Sequence, residues 1–224
     1  MVAITEPLAN AIRPDTPSIV VRGAVDADSI TRSPDRPTCV PFRLAYAGTL
    51  YDRYNLRAIV SALSLLESGT VEVHIYGRGP LEGWLKQVAT AGSAIVVHGS
   101  LPVHELRDAL EECDALLVLL DPADSLAQFS FPSKIFESMA SGRIVLVSDL
   151  PTLDPRMREF LTVVTDLSPQ GIAAQIEKVR HVTEAERRAT RHAQLAYLRK
   201  FGTWSAVGDQ LAALVQRLAA ERPR

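Results

Sequence analysis

From Phe42 onward the chain alternates short β-branched runs with helical patterns of apolar residues, and this alternation narrows the possible architectures to a few. A strand that leads through a helix into another strand returns by a crossover, which sets the strands parallel in a sheet with helices on its faces. The strand candidates are residues 43–47, 71–76, 94–98, 115–120, 144–148 and 162–165. Several of these runs are too apolar to face water on either side, so helices should cover both faces. Between them Leu56, Ile59, Val60, Leu63 and Leu66 recur at the spacing of an amphipathic helix. Shorter helical patterns begin near Leu81, His104 and Ser133, and from about residue 168 the chain is wholly helical. There Ile172, Ile176 and Val179 form one stripe, and Val207, Leu211, Leu214, Val215 and Leu218 another, a tail expected to wrap back over the sheet. The fold class is α/β: a Rossmann-like parallel sheet with helices on both faces and a helical C-terminal tail.

The first forty residues differ. Residues 19–22 read as an isolated strand, and residues 26–40 are rich in Pro, Asp, Ser, Thr and Arg, as a linker is. We therefore expect residues 1–41 to be the remnant of a preceding domain plus a linker, and residues 42–224 to be one domain. With 224 residues, 47% hydrophobic and 22% charged, the composition fits one main globular core. A net charge of -2 gives no long-range field for nucleic acid or an anionic bilayer. Cys39 and Cys113 are far apart and form no CxxC, and Cys113 lies among apolar residues, which fits a cytoplasmic chain. No run approaches the roughly 20 apolar residues of a transmembrane helix, and residues 1–14 lack the layout of a signal peptide.

The stretch richest in chemistry is residues 129–149, FSFPSKIFESMASGRIVLVSD. Pro132 and Ser133 suit a helix start, Gly142 suits the left-handed residue after its end, and the next buried strand follows. The N–H groups of Ser133, Lys134 and Ile135 would then point from the helix start towards the C-terminal edge of the sheet, where doubly wound folds bind phosphate. Lys134 adds a positive charge there. Glu137, one turn further in, is placed to accept hydrogen bonds from a vicinal diol such as a ribose, bonds worth about 1.5–3 kcal/mol each to a charged acceptor. Spacing alone leaves a second reading open, in which Lys134 and Glu137 are a solvated i,i+3 pair worth a few tenths of a kcal/mol.

Other motifs carry less. The run Gly77-Arg78-Gly79-Pro80-Leu81-Glu82-Gly83 follows a strand and opens a helix, but its third glycine comes one place too late for a dinucleotide fingerprint. Asp121 and Asp124 stand in DPAD, where turn or cap roles suit them better than metal binding. None of the five histidines pairs at ligand spacing, so no metal and no cofactor is implied. There is no G-x-S-x-G and no Cys/His pairing for nucleophilic catalysis. Trp84 and Trp204 are expected to pack rather than to serve as sugar platforms.

Taken together, residues 129–149 resemble the donor-binding motif of GT-B-fold retaining glycosyltransferases, in the large family marked by two glutamates separated by seven residues and an E-x-M-A-x-G ending. Glu137, Met139, Ala140 and Gly142 match that ending, and PSKIFE is similar to a sub-branch reading P-[SN]-K-x-[FY]-E. In the same order, Ala47-Gly48-Thr49 resembles the family's first glycine turn, Gly77-Arg78-Gly79-Pro80 its G-x-G-P, Val97-His98-Gly99-Ser100 its V-x-G turn, and Asp114 the aspartate opening the strand before the motif. The resemblance implies a nucleotide-sugar site built from Gly48, Thr49, Gly99, Ser100, Ser133, Lys134, Ile135 and Glu137. It places Gly99 and Ser100 near the base, the start of the helix on the diphosphate, and Glu137 on the ribose.

Two departures accompany the match. The sugar-side glutamate would fall at Phe129, which accepts no hydrogen bond from a hydroxyl, and the diphosphate's Arg and Lys would fall at Thr49 and Tyr54. Arg53, Arg57 or Lys134 are the candidate substitutes, with Arg53 counted in the site. The resemblance further implies a nucleoside diphosphate sugar as partner, no metal, and an acceptor held by another domain or chain. Residues 4–9, 19–22 and 23–26 are similar to the last helix, last strand and linker turn of that acceptor half. Residues 19–22, without their sheet, are expected to be mobile or paired with another chain. The alternative function is a stand-alone nucleotide-sugar-binding or interaction module without transfer activity.

Overall fold

The protein is seen here in a computed structural model that describes residues 1–30, 38–90 and 93–220. It opens with a small β-α-β unit: β1 (Val2–Ala3), α1 (Glu6–Ile12) and β2 (Ile19–Val20). The two strands are parallel, with Val2 opposite Ile19 and Ala3 opposite Val20. This corrects the expectation for residues 19–22, because the strand finds its partner in the same chain. The pairing is only two residues long, too short to leave a periodicity in the sequence. Thr5 caps α1 by accepting from the Leu8 amide, and its hydroxyl donates to the Phe129 carbonyl at 2.8 Å. Arg22 pairs with Glu6 and donates to the Thr152 carbonyl, so the unit is bound to the loops of the main sheet.

The main sheet contains β3 (Phe42–Ala47), β4 (Val71–Tyr76), β5 (Ile95–Gly99), β6 (Ala115–Val118), β7 (Ile144–Ser148) and β8 (Thr162–Val164). All five pairings are parallel, in the order β5-β4-β3-β6-β7-β8. This is the doubly wound arrangement the alternation predicts, and β6 and β7 are buried along their whole length. Asp114 explains how β6 is held at its start. Its carboxylate accepts from the amides of Arg43 (2.8 Å) and Cys39 (3.0 Å), so a buried charge takes up backbone donors at the entrance to β3.

The crossovers place α2 (Leu56–Leu63), α3 (Glu82–Val88) and α6 (Pro169–Arg180) on one face, around Leu44, Val73, Ile59 and Ile176. On the other face lie α4 (Val103–Glu111), α5 (Lys134–Ala140) and α7 (Glu184–Phe201), with Val145, Val147, Met139 and Leu198 at the centre. The last helix, α8 (Trp204–Ala220), departs from the expected wrap over the sheet. It packs against β2 and α7, buries little beyond Val207 and Leu214, and follows a bridge between Val25 and Thr203. Trp204 is 62% exposed and does not act as a packing residue. Trp84, by contrast, packs at the edge of the first face under the guanidinium of Arg57. Among the described residues no helix is long and apolar enough to cross a membrane.

Candidate nucleotide site

Strand order reverses between β3 and β6, so the crossovers leaving these two strands go to opposite faces and leave a crevice at their C-terminal ends. The turns beside it are joined by backbone hydrogen bonds. Gly48 donates to the Tyr76 carbonyl (2.9 Å), Leu50 to that of Arg78 (3.0 Å), and Gly77 to that of Gly99 (2.7 Å). Gly77 has φ +136° and lies so close to Gly48 that a Cβ there would strike the Gly48 carbonyl. A Cβ at Gly79 would stand 2.6 Å from the Leu50 nitrogen. Gly77 and Gly79 therefore serve loop-to-loop packing, which accounts for a pattern that only partly matches a dinucleotide fingerprint.

The crevice opens into a cleft of about 330 Å³. From β3 and its turn it is lined by Ala47, Gly48 and Thr49, and from the other strand ends by Tyr76, Arg78 and Ser100. Leu101, Leu106 and Leu110 come from the β5–α4 side, and Lys134, Glu137 and Ser138 from α5. Of the residues expected from sequence, Gly48, Thr49, Ser100, Lys134 and Glu137 meet in this one space. Glu137 is exposed and without a hydrogen bond among the described residues. It also borders a second groove of about 230 Å³ between α4, α5 and residues 24–29, whose lining includes Trp204. Gly99 forms the turn beneath Ser100 in the left-handed region, φ +76°.

Three expectations are corrected. Ile135 is fully buried and its amide is taken by the Pro132 carbonyl at 3.0 Å, while Phe136 donates to Ser133 at 2.9 Å. The chain after Pro132 closes a tight turn on itself, so only the amides of Ser133 and Lys134 are without a hydrogen bond among the described residues. Ser133 is exposed and not among the residues lining the cleft. The third concerns Arg53, which lies outside the cleft. Its guanidinium pairs with Asp124 at 3.6 Å and lies over the Tyr51 ring, and its carbonyl accepts from Asp121. Arg57 is likewise engaged, with Asp52. Asp121 and Asp124 have the turn and cap roles expected of them, accepting from Ala123 and Leu126.

With α5 only seven residues long, the positive end of its dipole is small, and the charge on the cleft wall comes mainly from Lys134 and Arg78. Lys134 is half-buried, and that burial pulls its pKa down while Glu137 opposes the shift. Its Nζ lies 6.0 Å from the centre of the Tyr46 ring and 5.7 Å from that of Tyr54. Tyr46 donates to the Thr49 carbonyl at 2.7 Å, and burial holds its phenol far above the usual range. Tyr76 is pushed up to about 12, first by burial, and the His98 ring stacks on it at 4.4 Å. Phe129 is 46% exposed beside the entrance to α5. Among the described residues no group of three His, Cys, Asp or Glu is placed to hold a metal ion.

Sequence reasoning did not assign Arg78 or the three leucines to the site. Arg78 had a usable signal, since it stands between glycines directly after a strand. Leu106 and Leu110 are i,i+4 neighbours that read equally well as core.

The family model for glycosyl transferases group 1 matches residues 41–181. No curated protein matches the sequence. Among solved structures, a glycosyltransferase from Rickettsia africae is 14% identical with a TM-score of 0.72, covering 97% of this chain and 63% of its own. Anabaena HepE, solved with UDP and glucose, is 13% identical with a TM-score of 0.69, over 96% of this chain and 62% of its own. The catalytic domain of a Helicobacter pylori cholesterol-α-glucosyltransferase is 17% identical with a TM-score of 0.58, over 72% of this chain and 99% of its own. At these identities the likeness is one of fold. The chain spans less than two thirds of the length of HepE and of the Rickettsia protein.

Proposed function

Since this chain belongs to the glycosyl transferases group 1 family, we propose that it binds the nucleoside diphosphate part of a sugar donor for transfer to an acceptor held by another domain. The observation that carries the reading is the convergence of Thr49, Ser100, Lys134 and Glu137, from three separate crossovers, on one cleft at the switch point of the sheet. In this reading Glu137 accepts from the ribose hydroxyls, the Ser100 turn and the leucines of α4 flank the base, and Lys134 and Arg78 face the diphosphate. HepE, of the same fold, was solved with UDP and glucose, which agrees with a nucleotide-sugar ligand for this architecture.

The chemistry asked of the chain is electrostatic. As the bond between sugar and diphosphate breaks, negative charge grows on the departing phosphate oxygen, and cations already in place stabilise it without reorganisation. Binding needs no divalent metal in this account, because the lysine and arginine offset the diphosphate charge. The test is calorimetric titration with uridine, guanosine and adenosine diphosphates, with and without EDTA. We expect one of them to bind and EDTA to leave the affinity unchanged; no heat with any of the three would overturn the reading.

Phe129 favours a second reading, a module that binds nucleotide sugar without transferring it. A phenyl ring stands where the resemblance calls for an acid facing the sugar, and it leaves sugar hydroxyls without that acceptor. A donor-hydrolysis or transfer assay in the presence of a complete acceptor half separates the two.

A further inference from the structure

Lys134 is placed in a way that no carboxylate among the described residues accounts for. Its ammonium is half-buried, and among the described residues it makes no hydrogen bond and no ion pair; Glu137, three residues on, is not within pairing distance. Arg53 and Arg57, on the segment after this turn, are taken by Asp124 and Asp52, and Arg78 stands exposed on the cleft wall. Removing an ammonium from water without a carboxylate is costly, and burial depresses its pKa accordingly. What lies beside it is aromatic. The rings of Tyr46 and Tyr54 are 5.9 Å apart, and Nζ is about equally distant from both, at the reach of a cation–π contact. Tyr46 is fixed by its hydrogen bond to the Thr49 carbonyl. On the remaining side is Gly48, where any Cβ would collide with Nζ. Two rings and a missing side chain thus make a place for one ammonium at the mouth of the cleft.

We propose that Tyr46 and Tyr54 are a seat holding the Lys134 ammonium over the Gly48 turn, where it is the principal cation for the donor diphosphate. The inference rests on the nucleoside diphosphate reading of the cleft. It makes the tyrosines positioning residues, acting through Lys134 and not by touching the ligand. It also explains how a chain with Thr49 and Tyr54 in place of basic residues neutralises the diphosphate: the charge comes from α5, and Tyr54 carries the π face it rests on.

The test compares the unaltered chain with Lys134→Met, Tyr54→Leu and Tyr54→Phe by calorimetry, using uridine diphosphate, or whichever nucleoside diphosphate binds, and the corresponding nucleoside. Lys134→Met is expected to weaken diphosphate binding about tenfold or more and to leave nucleoside binding unchanged. Tyr54→Leu should weaken it about three- to tenfold, and Tyr54→Phe, which keeps the ring, should not. The pH profile gives a readout that a merely structural role would not move. The ammonium is the binding form, so affinity falls as pH rises through the lowered pKa of Lys134. Loss of the Tyr54 ring should shift that fall to lower pH. The charged and titratable groups around the ammonium are Glu137, Tyr46, Tyr54 and Arg78. All but Tyr54 are shared by the variants, and Tyr54→Phe removes its phenol while keeping the ring. Thermal melting of each variant confirms folding. Failure of the unaltered chain to bind any nucleoside diphosphate sinks the cleft reading and this inference with it. Binding by the unaltered chain, with Tyr54→Leu unchanged in affinity and pH profile, overturns the seat alone.

Discussion

Two carboxylates show how differently the same chemistry is used in this chain. Glu137 is exposed at the cleft wall and free of hydrogen bonds among the described residues, so its removal should cost little stability. If it serves a ribose, Glu137→Ala weakens nucleoside diphosphate binding by about 1.5–3 kcal/mol, measured by titration calorimetry, with the melting temperature unchanged. An unaltered dissociation constant would return Glu137 to the status of a surface residue. Asp154 is the opposite case: it is buried, and it accepts from the Arg156 amide (2.9 Å), the Arg156 guanidinium (2.6 Å) and the Tyr197 hydroxyl (2.9 Å). Arg22, from the N-terminal unit, stands 3.6 Å away. Burial pushes the Asp154 pKa up, but these bonds outweigh it and hold the carboxyl at about 2. A folded-state pKa below the unfolded one contributes stability that is complete above about pH 4 and is lost as pH falls towards 2, about 2–3 kcal/mol in all. Asp154→Asn should therefore lower unfolding stability by about that amount at pH 7 and flatten its pH dependence between 4 and 2. Equal denaturation midpoints at pH 7 for the two proteins would contradict this.

At the scale of elements, the site depends on how closely three turns approach one another. Gly77→Ala would force a Cβ into the Gly48 carbonyl at a φ that side chains rarely adopt. Because both atoms in conflict belong to the backbone or are fixed to it, neither yields by rotating a side chain. We expect a loss of about 1–3 kcal/mol in stability together with loss of nucleotide binding, read by thermal melting and titration. Gly83→Ala, with nothing near its Cβ, serves as the control. The same scale explains what the sequence made legible. The six strands could be read because their apolar runs are set by burial on both faces: 71–76 and 144–148 agree to the residue, and the other four are off by at most two residues at an end. The helix bearing Lys134 and Glu137 could be read from Pro132, Ser133 and Gly142. What could not be read depends on contacts distant in sequence or on backbone detail. Arg53 is diverted by a loop some seventy residues later, the Ile135 amide is lost to a tight turn after Pro132, and β2 finds a partner only two residues long. The approach of Lys134 to Tyr46 on β3 and to Tyr54 in the segment after it likewise has no local signature.

For the molecule as a whole, the proposed reading gives this chain one wall of a cleft. The cleft lies at the C-terminal ends of the central strands, and Arg78, Ser100 and Glu137 on its rim are exposed, so a diphosphate held there stays in contact with water. Water screens the interaction between Lys134 and a departing phosphate: two unit charges at about 4 Å are worth about 1 kcal/mol in bulk water and about 4 kcal/mol at an effective dielectric of 20. Binding tolerates that difference, but transfer does not, since each 1.4 kcal/mol lost from the transition state is about tenfold in rate. Transfer also needs an acceptor hydroxyl held in line with the bond that breaks, a positioning effect that a second wall would supply. In the N-terminal unit β1 and β2 form a two-stranded sheet, beside which Val2, Ile4 and Ile12 are exposed. The last prediction is therefore that this polypeptide alone binds a sugar donor, with melting temperature rising as donor is added, yet transfers no sugar to added acceptors. Supplying an acceptor-binding domain, fused ahead of Met1 or added as a separate chain, should bring transfer above background. Donor-dependent product from the purified chain without any partner would show that one wall suffices, and the division of labour proposed here would fall.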